Sequence, residues 1–142
     1  AFEIPYNMLG GEAEALLQAE NPIYNSSRAF GWTDDNFNNA VLCALDYNGA
    51  TDKNQIKLTC ISGGNASEVW IDLDPTIIRH CKLTWHPELG LVTLVVDGKY
   101  YAALTTNVPT TALPFRVYAL TNATNAPPNE SALKVYSCKI RW

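Results

Sequence analysis

The sequence predicts an all-β fold, an antiparallel two-sheet sandwich of jelly-roll type carrying one short N-terminal helix. Three observations lead there. Eight or so runs of strand length and composition recur at roughly 8–15-residue spacing, separated by Gly, Asn, Asp and Pro clusters. No strand–helix alternation runs along the chain, which excludes a parallel α/β fold. The chain has 142 residues, 47% hydrophobic and 17% charged, enough for one domain with a real core and too apolar for disorder.

Taken in order, residues 1–28 differ from the rest and read as an N-terminal extension to a sandwich spanning 29–142. Within them, Gly11-Glu-Ala-Glu-Ala-Leu-Leu-Gln-Ala-Glu20 has helical composition and stops at Asn21-Pro22, so one or two helical turns are expected to pack on a sheet. Strands are expected at 40–47, 55–61, 68–73, 77–85, 91–96, 99–104, 114–120 and 133–141. Turn clusters at 48–54, Ser62-Gly-Gly-Asn65 and His86-Pro-Glu-Leu-Gly90 divide them. Asp97-Gly98 predicts a two-residue hairpin, because both central residues of a type I′ turn need positive φ. Residues 121–132 form a polar loop. The hairpin at 91–104 is apolar on both faces, so its second face is expected to be covered, by the N-terminal helix or by another chain.

Charge narrows the partners. Ten Lys and Arg against fourteen Asp and Glu give a net charge of −4, with no basic run. That argues against duplex nucleic acid or anionic membrane as the main partner. No apolar run approaches the roughly 18 residues a membrane helix needs. There is no basic segment followed by an apolar stretch at the start, and the chain opens on Ala1, so a processed or excised piece of a larger parent protein is expected.

Cys43, Cys60, Cys81 and Cys138 lack the short zinc and redox spacings. Each alternates with apolar neighbours on the inward side of a strand, so they are either buried thiols or two disulfides in one of three connectivities. Four Asn-X-Ser/Thr sites stand at Asn25, Asn65, Asn122 and Asn129. They mark a secreted glycoprotein if the source is eukaryotic and carry no meaning otherwise.

The second half resembles a laminin-G-like, concanavalin-A-like jelly roll, as found in lectin-like modules of phage tail and extracellular proteins. The residues that carry the resemblance are Cys81-Lys-Leu-Thr-Trp85, Gly90-Leu-Val-Thr-Leu-Val-Val-Asp-Gly-Lys99, Leu113-Pro-Phe-Arg-Val-Tyr-Ala119 and Leu133-Lys-Val-Tyr-Ser-Cys-Lys-Ile140, with Arg28-Ala-Phe-Gly31 as an early strand. The resemblance covers roughly residues 28–141 and implies binding of glycans or protein ligands at a sheet face or rim, with polysaccharide cleavage in some members. The expected function is non-catalytic binding of a glycan or glycoprotein by an extracellular, secreted or virion-surface module. The competing reading is a structural protein, homo-oligomeric or built into a larger parent, whose hairpin 91–104 packs on another subunit.

Two segments carry candidate chemistry. In Glu68-Val-Trp-Ile-Asp-Leu-Asp74, alternation puts Glu68, Trp70, Asp72 and Asp74 on one face and Val69, Ile71 and Leu73 on the other. An indole flanked by carboxylates suits a sugar: the ring stacks on the C–H face of a pyranose and the carboxylates accept from hydroxyls. The plain alternative is a solvated sheet face with one exposed Trp. Glucanases of the resembled fold carry a Glu-x-Asp-x-Glu strand, and the matching frame here is Trp70-Ile-Asp72-Leu-Asp74, with Trp in the nucleophile's place. Glycoside hydrolysis needs two carboxylates, so this departure disfavours catalysis.

The second segment is Gly31-Trp-Thr-Asp-Asp-Asn-Phe-Asn-Asn39, read as a rim loop. It offers Trp32 and Asp34 to a ligand, and Asp34, Asp35 and Asn36 as oxygen donors for Ca²⁺, the one cofactor the sequence suggests. The alternative is a polar turn with Trp32 packed on the sheet. Nucleophilic catalysis finds no support: there is no G-x-S-x-G, and His80 points away from Cys81.

Overall fold

The computed structural model describes residues 2–20, 26–121 and 132–141. These form eleven strands: β1 (Phe2–Met8), β2 (Gly11–Glu20), β3 (Ser26–Thr33), β4 (Ala40–Asn48), β5 (Lys53–Ser62), β6 (Asn65–Ile71), β7 (Arg79–His86), β8 (Leu91–Val96), β9 (Lys99–Leu104), β10 (Leu113–Thr121) and β11 (Ala132–Arg141). A six-stranded sheet runs β1-β10-β3-β4-β5-β6 and a five-stranded sheet runs β11-β2-β7-β8-β9, every pairing antiparallel. This is the β-sandwich jelly roll that the strand spacing predicts. A single 3-10 turn at Pro87–Leu89 links β7 to β8.

The predicted N-terminal helix is a strand. Gly11–Glu20 buries Ala13, Ala15, Leu17 and Ala19 and turns Glu12, Glu14, Leu16, Gln18 and Glu20 outward. Its composition favours a helix, but its polarity alternates with period two, and pairing with β11 and β7 on both sides overrides propensity. β1 is an edge of one sheet and β2 an interior strand of the other, so residues 2–20 are woven into the sandwich.

The covering expected over 91–104 is likewise absent as a helix. Val92, Leu94 and Val96 face the core, and β9 carries a bulge opposite Leu94 and Val95. The bulge breaks the alternation, packing Tyr101 against the core while Tyr100 stays 59% exposed. Asp97 and Gly98 have φ of 52° and 80°, the type I′ pair the sequence predicts.

The core is aromatic at its centre. Trp32 stacks against Trp85 and Phe115, each with ring centroids 5.6 Å away, and its indole N–H points at the Met8 sulfur, 3.4 Å distant. Arg28 is fully buried. Its guanidinium donates to the Leu45 carbonyl at 2.8 Å and lies 3.7 Å from Asp46, whose carboxylate also accepts from the Arg28 amide and the Ser27 hydroxyl. Burial raises the Asp46 carboxyl above its ordinary range, against the pull of these donors.

Elsewhere the carboxylates are shifted the other way. The Thr76 hydroxyl and amide hold Asp74 low, and at Asp97 burial is outweighed by the His80 amide and the Arg79 guanidinium. A carboxyl whose folded pKa is depressed contributes stability above its unfolded value and loses it as pH falls through the folded value. The denaturant midpoint is therefore expected to fall as pH drops below about 4, and Asp74→Asn to shallow that fall. A midpoint that rises on acidification contradicts this, since only Asp46 pulls in that direction among the carboxylates whose shifts are given above.

Candidate functional site

The site is built on the outer face of the six-stranded sheet. On β6, Val69 and Ile71 pack inward, so Glu68, Trp70 and Asp72 project from the opposite face, as alternation predicts. Strand β6 is the sheet's edge and ends at Ile71. Asp74 lies beyond it, in a turn, with both the Thr76 amide (2.8 Å) and hydroxyl (2.6 Å) bonded to one of its carboxylate oxygens. It does not join the face of Trp70.

Register fixes the neighbours. Trp70 stands opposite Lys57, Lys57 opposite Ala44, Ala44 opposite Ala29, and Ala29 opposite Tyr118. The next row reads Glu68, Thr59, Leu42, Gly31 and Arg116. Each row thus has small or aliphatic residues in its middle and large side chains at its margins. Ala29, Ala40, Leu42 and Ala44 form a buried apolar floor, against which Phe37, Ile61 and Tyr118 pack. At strand spacings of about 4.8 Å, Trp70 and Tyr118 are roughly 19 Å apart across this face.

Each margin has its own chemistry. On one side the Lys57 ammonium sits 5.0 Å from the centroid of the half-buried Trp70 ring and 3.7 Å from the Glu68 carboxylate. Asp72 accepts from the Gln55 amide at 3.0 Å and lies 3.6 Å from Lys53. The Gln55 bond and the Lys53 charge hold its carboxyl below the ordinary value. On the other side Phe37 meets Tyr118 edge-on at 5.6 Å, and Arg116 is paired with Asp35. Burial pushes the Tyr118 hydroxyl up to about 12.

The rim-loop residues separate. Trp32 is 0% exposed in the central core, between the sheets, so it has no surface to offer a ligand; it follows the inward parity of Phe30 on β3. Asp34 organises its own loop, one oxygen accepting the Asn38 amide and the other the amide and side chain of Asn39. Asp35 and Asn36 are exposed. These amides take up part of the Asp34 carboxylate's accepting capacity, and among the described residues no three His, Cys, Asp or Glu side chains gather for a metal. Asn65 is exposed on the β5–β6 turn; Asn25, Asn122 and Asn129 lie outside the described residues. Cys43, Cys60 and Cys81 are buried thiols and Cys138 a partly buried one.

Sequence reasoning missed Lys57, Phe37 and Tyr118 as parts of one face with Trp70. A cleft of about 370 Å³ lies elsewhere, at the end of the sandwich between Leu9–Glu12, Thr84–His86, Glu88 and Arg141. Two of its charged side chains already have partners: Glu12 lies 2.9 Å from Lys82 and Arg141 3.1 Å from Glu14.

Glu68 and Asp72 are four residues apart on a strand, about 13 Å between their Cα atoms, with Trp70 standing between them.

No protein-family model matches the chain, and no curated protein matches it in sequence. Solved structures do match in fold. The chain is similar to the apo Crh5 transglycosylase at 17% identity and a TM-score of 0.69, over 97% of this chain and 65% of that one. It is similar to the carbohydrate-binding module CBM66 from Bacillus subtilis at 10% identity and a TM-score of 0.64, over 97% and 78%. It is similar to the carbohydrate recognition domain of Emp46p at 11% identity and a TM-score of 0.69, over 97% and 74%. The chain thus spans less than two thirds of the length of the transglycosylase. The fold is that of the concanavalin-A-like jelly rolls. Enzymes and non-catalytic binders share it, and at these identities the likeness extends to fold alone.

Proposed function

We propose that the chain is a non-catalytic glycan-binding module whose ligand lies across the outer face of the six-stranded sheet. The observation that carries this is the row Trp70-Lys57-Ala44-Ala29-Tyr118, which sets a half-buried indole with Lys57 beside it at one end of the face and the Tyr118 ring, packed on Phe37, at the other. Sugar rings present flat C–H faces to aromatics and hydroxyls at their edges, and Glu68, Asp72 and Lys57 supply acceptors and a donor beside the Trp70 ring. The 10–11% identical neighbours bearing carbohydrate-binding names support the reading at the level of fold.

Hydrolysis is disfavoured by the same strand. Trp70 stands in the nucleophile's place of the Glu-x-Asp-x-Glu frame, and the neighbouring carboxylates of Glu68 and Asp72 are tied to Lys57, Lys53 and Gln55. The reading has the module working outside cells or on a virion surface, where glycans are met.

The test is a fluorescence and calorimetric titration with oligosaccharides of two to six units, alongside a reducing-end assay. Affinity is expected to rise with length until the chain spans about 19 Å, with no release of reducing ends. Turnover of any oligosaccharide overturns the non-catalytic assignment. Affinity that ignores length overturns the extended site.

The assembly alternative rests on one observation, the exposed Tyr100 on the edge strand β9. It predicts a concentration-dependent oligomer in sedimentation that Tyr100→Glu dissolves without unfolding. Glycan binding by a monomer that Tyr100→Glu leaves intact argues against it.

A further inference from the structure

We propose that the site around Trp70 selects neutral saccharides and rejects those bearing carboxylates or ammonium groups. This rests on the glycan-binding reading above and adds the class of sugar to it. The observation is the arrangement of charge around the ring. Glu68 on β6 and Asp72 just past its end flank Trp70, each two residues away and about 7 Å along the chain. On the facing strand β5, Lys57 stands opposite Trp70, and Lys53 lies further along the same face. These four charges match one to one. Lys57 lies 3.7 Å from Glu68, and Lys53 3.6 Å from Asp72. The next carboxylate across the sheet is matched as well: Asp46, in register with Gln55, lies 3.7 Å from the buried Arg28. The ring is thus flanked by two carboxylates and two ammonium groups that cancel.

Each kind of ligand meets this arrangement differently. A hydroxyl both donates and accepts. It bonds to a carboxylate or an ammonium that keeps its ionic partner, because the one has about four lone-pair sites and the other three donors. A ligand carboxylate resting on the ring lies between Glu68 and Asp72, and the two lysines that attract it are already engaged. The chain's net charge of −4 opposes it from further away. A ligand ammonium is drawn to an indole face, but the Lys57 ammonium already sits 5.0 Å from the Trp70 centroid. A second cation at that ring meets like charge at short range, and such repulsion rejects wrong partners. A neutral sugar meets neither repulsion.

The experiment is calorimetry of the whole chain with hexamers of glucose, mannose and galactose, with the corresponding uronic-acid hexamers, and with a glucosamine hexamer. The tightest neutral hexamer is expected to bind at least about tenfold more tightly than any charged one. Raising the salt from about 0.01 M to about 1 M shortens the Debye length from about 30 Å to about 3 Å, and is expected to change that neutral affinity by less than about twofold. The double variant Glu68→Gln/Asp72→Asn leaves Lys57 and Lys53 unmatched. Both carboxylates are exposed, so the variant is expected to melt as the wild type does. It is expected to gain at least about tenfold for a uronic-acid hexamer, a gain that about 1 M salt removes. A wild type that prefers a charged hexamer, or whose neutral binding falls steeply with salt, overturns the selectivity and leaves the glycan reading standing. So does a double variant that folds and gains nothing for the uronic acids. A folded wild type that binds none of the hexamers overturns the glycan reading and the selectivity with it.

Discussion

Gly31→Ala is expected to abolish the folded state or lower its stability by roughly 4 kcal/mol or more, summing the overpacking and backbone-strain costs. A Cβ built at Gly31 would lie 2.0 Å from the Val41 carbonyl oxygen, and the residue's φ of 146° is one that L side chains avoid. Neither problem relaxes alone, because the clashing oxygen belongs to the backbone of β4, paired with β3 along Ala29–Thr33. Small domains are stable by only about 5–15 kcal/mol, so one such change exhausts much of the margin. Gly98→Ala is the control: φ is 80°, but nothing lies within 4 Å of the added Cβ, and a cost of about 1 kcal/mol is expected. Urea denaturation of the two variants checks this. Equal stability of Gly31→Ala and wild type would show that β3 and β4 are not in this close register.

The second large effect is on binding. Trp70→Ala is expected to weaken glycan affinity about 30-fold or more, an interface hot spot of about 2 kcal/mol. Trp70 is half-buried on an edge strand and outside the central core, so the variant keeps its fold and its melting behaviour. Lys57→Met tests the neighbour separately: it removes the cation over the ring and the partner of Glu68 while keeping the aliphatic stem. A loss no larger than that of Trp70→Ala is expected, since an exposed ion pair and a partly exposed cation–π contact are each worth at most about 1 kcal/mol. Calorimetry on the variants separates these effects from unfolding. Wild-type affinity in Trp70→Ala would remove the sheet-face site.

Much of this was readable in the chain, for reasons that differ by residue. The faces of β6 followed from the period-two polarity of Glu68 to Leu73, because a strand buried on one side alternates. The Asp97-Gly98 hairpin followed from turn chemistry. Gly11–Glu20 misled because Ala, Glu, Leu and Gln are strong helix formers, and the alternation of Ala with Glu was the stronger signal. Trp32 misled because the strand before it extends to Thr33, which carries its indole inward instead of leaving it on a loop. The partnership of Trp70 with Lys57 and Tyr118 was beyond local reading. It depends on four successive strand registers, and pairing between distant segments has no local signature.

The most direct measurement of the central claim is a glycan array probed with the whole chain and with Trp70→Ala, covering mammalian, plant and bacterial-envelope glycans, each with Ca²⁺ and with chelator. The account predicts selective binding by the wild type, unchanged by chelator and lost in Trp70→Ala. A folded wild type that binds nothing, or a Trp70→Ala chain that binds the same glycans equally well, would contradict it.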